Sequence, residues 1–82
     1  MKSKNIGQNI VVLDRGFVYV GDVKEETDRI IISNAKNIRR WGTSKGLGEL
    51  RNGPLSDTTL DIVGEVMAFK HSVMHLMPCK GF

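Results

Sequence analysis

The chemistry-bearing residues of this chain gather in one stretch, residues 38–50, which reads IRRWGTSKGLGEL. It holds the only tryptophan, Trp41, beside Arg39 and Arg40, with Thr43, Lys45 and the glycines 42, 46 and 48 close behind. Guanidinium forks pair with phosphate, an indole stacks on a base, and glycine-rich backbone lets N–H groups approach an anion. These types together describe a binding loop for a phosphate-bearing ligand: RNA, single-stranded DNA or a nucleotide signal. Its ligand-binding residues would be Arg39, Arg40, Trp41, Gly42, Thr43, Lys45, Gly46 and Gly48. The same residues also fit a packed corner, in which Trp41 covers the end of a small core and the arginines lie over it. A third use is a protein interface, where Trp and Arg dominate binding energies.

Two familiar phosphate-binding patterns are absent. Walker A needs its lysine after the final glycine and a long helix behind it, and here Lys45 precedes Gly46 and Gly48. A dinucleotide fingerprint needs different glycine spacing in a βαβ setting. Other candidate groups carry less. His71, His75 and Cys79 recur at spacings of four, but residues four apart in a strand lie about 13 Å from each other, too far to share one ion. Asp57 reads as a turn residue and Asp61 as a cap or a partner for a loop arginine, rather than as carboxylates that hold Mg²⁺ or work as acid and base. No serine has a recognisable nucleophile setting, so the expectation is a protein that is not an enzyme and uses no cofactor. Met67, Met74 and Met77 read as core filler or oligomer contacts.

The elements that must position this loop are strands. Residues 10–13 form a β-branched run that ends at the turn-like Asp14–Gly16. Residues 17–23 are a second strand, with Gly21 marking a bulge or bend. A charged connector, 24–28, leads to a third strand at 29–33, followed by a link at 34–37 and a short fourth strand at 38–41. Residues 42–62 lack β-branched runs and read as an irregular insertion with one short helical turn, stopped by Asn52, Gly53 and Pro54. Thr43 or Ser44 would cap that turn. Strands at 64–69 and 73–77 follow, joined by a turn at 70–72. Residues 1–8 are polar and read as a loosely held, flexible N-terminus.

The sum is a single, mainly β domain over residues 1–82, a small SH3-like or Sm-like barrel of five to six short strands. The glycine-bent strand followed by an apolar strand ending in Asn34 is similar to the first half of the Sm motif, as an analogy of architecture. A domain of this size buries only about 60% of the surface its unfolded chain exposes, so it needs support. One cysteine excludes an internal disulfide, which leaves a homo-oligomer as the common remedy. The net charge of +3 is compatible with an anionic partner. Apolar runs are too short to cross a bilayer and no secretory segment follows the first residues, which points to the cytoplasm and away from a membrane.

The stretch 34–43 with 46–50 and 52–54, carrying IRRWGT, GLGEL and NGP, resembles a signature of short, uncharacterised bacteriophage and prophage proteins. The resemblance implies a small accessory protein acting in the cytoplasm of a bacterial host, and it brings no assigned activity or functional residues. A partner consistent with it is an anionic ligand, or a host protein that the chain inhibits or redirects.

Overall fold

The computed structural model describes residues 3–82. Five strands alternate with three short 3-10 turns: β1 (Lys4–Leu13), η1 (Asp14–Gly16), β2 (Val18–Glu25), β3 (Arg29–Arg40), η2 (Leu47–Asn52), β4 (Thr59–Phe69), η3 (Lys70–Ser72) and β5 (Val73–Pro78). All pairings are antiparallel, in the order β4-β3-β2-β1-β5. The mainly β architecture expected from the sequence is therefore present, with five strands.

The sheet must coil. Phe69 pairs with Arg29 at one end of the meander, and Val73 pairs with Leu13 at the other, on the far side of the sheet. In a flat sheet β4 and β5 would lie about 19 Å apart across the strands alone. Only Lys70–Ser72 joins them, and the four residue steps from Phe69 to Val73 reach at most about 14 Å. Bulges between Asn5 and Gly7, at Gly21, and between Ile32 and Ala35 supply the bending.

Coiling divides the core by face. Side chains alternate along a strand, so adjacent Ile10 and Val11 enter different clusters. Val11, Val23, Ile30, Ile32, Ala35 and Ala68 fill the inner face, joined by Leu13, Val66 and Val73. Ile10, Val18, Val20 and Ile38 lie on the outer face, where Leu50 of η2 covers them, and Cys79 and Phe82 of the C-terminal segment pack against the same cluster. Buried Asn9 is satisfied locally, its amide donating to the carbonyls of Ile6 and Gly7, each at 3.1 Å.

Several boundaries differ from those the sequence suggests. Residues 4–8, read as loosely held, are strand, pairing Lys4 with Glu25 and Gln8 with Asp22. The link at 34–37 and the separate fourth strand merge into one β3, because Asn34 takes a left-handed backbone (φ 53) that absorbs an extra residue as a bulge. The insertion ends earlier than residue 62, since β4 begins at Thr59.

Candidate functional site

The end of β3 delivers the expected loop residues to the surface. Arg39 and Arg40 are both exposed, and Trp41 keeps 40% of its surface accessible while joining neither core cluster. Trp41 is therefore partly covered and partly open to solvent, outside both core clusters. The corner is nonetheless fixed. The Thr58 hydroxyl donates to the Trp41 carbonyl (2.7 Å) and accepts from the Leu55 N–H (2.9 Å). Gly42 takes φ +67 and lies so close to Asp57 that a β-carbon there would meet its backbone carbonyl at 2.4–2.5 Å. The insertion folds back on the root of the loop and fixes the backbone at Trp41 and Gly42.

The two arginines part ways. Arg39 Nε pairs with Asp61 Oδ2 at 2.9 Å, so Asp61 has the structural role expected of it. Arg40 carries no ion pair among the described residues.

Two of the backbone donors expected for a ligand, the Ser44 and Lys45 N–H groups, are already occupied. Glu49 Oε2 accepts from the N–H of Ser44 (3.0 Å) and of Lys45 (2.7 Å), with the Ser44 hydroxyl at 3.4 Å. These two donors precede η2, so Glu49 braces the approach to that turn, and neither Thr43 nor Ser44 supplies the expected cap. Gly46 (φ +100) turns the chain into η2, its carbonyl accepting from the Glu49 N–H at 3.2 Å. Thr43 is half-buried and Lys45 is exposed. Of the eight expected ligand residues, then, Arg39, Arg40, Trp41, Lys45 and Gly48 are exposed; Arg39 is held by Asp61, and the Lys45 N–H is held by Glu49.

Gly48 belongs to a neighbouring feature that the sequence did not announce. η2 and the C-terminal segment enclose a cleft of about 600 Å³ lined by Gly48, Glu49, Arg51, Asn52, Cys79 and Lys80. The Lys80 N–H donates to the Arg51 carbonyl at 2.9 Å, setting these two cationic residues side by side. Residues 29 positions apart carry no local signal of such a meeting. Burial alone pushes the Cys79 thiol above its ordinary pKa, which keeps it protonated and unreactive near neutral pH. His71 stacks on Phe69 with ring centres 5.8 Å apart.

The chain matches no family model, no curated protein and no solved structure. No helix among the described residues is long and apolar enough to cross a membrane.

Proposed function

We propose that this chain is a non-enzymatic binding module that takes a phosphate-bearing ligand, a nucleic acid or nucleotide, at the exposed corner formed by Arg40 and Trp41. The observation that carries the reading is the exposure of two neighbouring side chains at the end of β3: Trp41 is 40% accessible, with its backbone carbonyl pinned by the Thr58 hydroxyl, and Arg40 is exposed and carries no ion pair among the described residues. A base would stack on Trp41 while Arg40 pairs with phosphate. The Ser44 and Lys45 N–H groups are not part of this site, because Glu49 holds them. The setting consistent with the phage-like signature is the cytoplasm of a bacterial host.

Tryptophan emission, titrated with single-stranded RNA, single-stranded DNA and mononucleotides, tests the proposal. Quenching by at least one of them is expected. Anisotropy of a labelled ligand should then show Trp41→Ala costing about 1–3 kcal/mol, as loss of one stacked base does. Arg40→Ala should weaken binding, with a steep salt dependence if the ligand is a long nucleic acid. An unchanged emission spectrum with all three ligands overturns the reading.

A second reading, a protein-interaction module that inhibits or redirects a host protein, is favoured by the same Trp and Arg pair standing as a preformed hot spot. Recovery from lysate of one protein that survives nuclease and is lost with Trp41→Ala distinguishes the two.

A further inference from the structure

β4 is the least guarded part of the molecule. It is an edge strand with no proline, lysine or arginine along its length, the residues that usually keep such an edge from pairing. The other edge, β5, is shorter and ends at Pro78, which has no N–H to offer. Along β4, Met67 and Phe69 are 55% and 49% exposed, on the face opposite inward-pointing Val66 and Ala68.

The backbone direction of this edge follows from its neighbours. The Lys70 N–H donates inward to the Asp28 carbonyl, and the Glu26 N–H donates to Arg29, whose polar groups therefore face β2. Antiparallel ladders alternate, so Phe69, Met67 and Glu65 turn their N–H and C=O groups away from β3 to the open side. Toward the start of the strand the regular run stops at Gly64, which has φ +102.

We propose that residues 65–69 are a self-association edge, through which two copies of this chain pair antiparallel about a two-fold axis at Met67. That register sets Glu65 opposite Phe69 of the second copy and Met67 opposite its own equivalent, so every outward backbone group in the run meets an outward group. Other registers of matching parity leave one of the three unpaired. The Arg29 guanidinium lies over Met67, Nη1 to Sδ 3.4 Å, while Nε holds Asp28 at 3.0 Å, and His71 stacks beside Phe69. The Glu65 side chain of one copy thus arrives beside Phe69 of the other, next to the Arg29–Asp28 ion pair, and the symmetry makes that contact twice.

The full-length chain is tested by sedimentation from micromolar to several hundred micromolar concentration, and by cross-linking. A concentration-dependent dimer is expected. Facing residues in a hydrogen-bonded antiparallel pair have Cα atoms about 5.5 Å apart, within disulfide reach. In a Cys79→Ser background, Met67→Cys treated with oxidised glutathione should therefore give a linked dimer, and Met74→Cys on β5 should not. Glu65→Arg, with circular dichroism confirming the fold, should weaken the dimer roughly tenfold through the two lost contacts. A chain that stays monomeric throughout, assemblies larger than two, cross-linking at Met74→Cys as readily as at Met67→Cys, or a dimer indifferent to Glu65→Arg each overturns the proposal.

Discussion

At the scale of single residues, the loop is ruled by two positions whose roles are opposite in kind. Glu49 gathers the N–H groups of the exposed Ser44 and Lys45 onto one carboxylate and so fixes the shape of the loop. Gly42 instead permits a close approach. Its positive φ is unfavourable for any residue with a β-carbon, and the Asp57 carbonyl occupies the space that β-carbon would need. Strain and clash add at one site, so Gly42→Ala should destabilise the fold by about 2–4 kcal/mol. Urea unfolding measures this, and a cost below the error of the experiment would mean that the corner relaxes freely. The same substitution should alter Trp41 emission in the native state, because the clash lies at the root of the indole. These effects connect a backbone torsion to the presentation of a side chain, which is the link the proposed site depends on.

At the scale of elements, what was legible in the sequence is what local pattern encodes. The alternating apolar residues of β1, β2 and β5, the turn at Asp14–Gly16, the bulge at Gly21 and the stop after Asn52 all announce themselves through neighbouring residues. The continuity of β3 does not. Asn34, Lys36 and Asn37 have turn-like composition, and they remain in the strand because β2 and β4 pair with that stretch on either side. The site divides likewise. Arg40 and Trp41 stood out by type, whereas the closure of the loop on Glu49 and the meeting of Arg51 with Lys80 depend on how η2 docks. Leu50 is the anchor of that docking, fully buried against Ile10, Val18, Val20 and Ile38. Leu50→Ala should cost about 2–5 kcal/mol, the range for a large-to-small change in a core. If η2 is positioned by this contact, hydrogen exchange should quicken across η2 while the inner-face strands keep their protection. Uniform loss of protection would instead mean that the two clusters unfold together.

At the scale of the whole molecule, the fold resembles a coil with a clasp. The inner cluster is closed by the sheet itself, but the outer cluster depends on segments far apart in sequence. The C-terminal segment fastens them. The Cys79 N–H donates to the Gln8 carbonyl, the Lys80 N–H to the Arg51 carbonyl, and the Phe82 N–H to the Gln8 side chain at 3.1 Å. Lys36 Nζ reaches the Phe82 carbonyl at 3.3 Å. Gly81 sits against Asn52 and Gly53, where a β-carbon would come within 2.8 Å of the Asn52 carbonyl oxygen, so only glycine lets these backbones touch. Deleting residues 80–82 removes the bonds of Lys80 and Phe82 together with the Phe82 ring over the outer cluster, and keeps the Cys79 bond to β1. A loss of about 1–3 kcal/mol is expected, read as a lower urea midpoint. The slope of that transition carries the further information, because it scales with surface exposed on unfolding. If the clasp holds η2 in place, the truncated native state already exposes part of the outer cluster, so the slope should fall with the midpoint. An unchanged slope would assign the loss to the deleted contacts alone and leave η2 docked by Leu50 without help from the C-terminal segment.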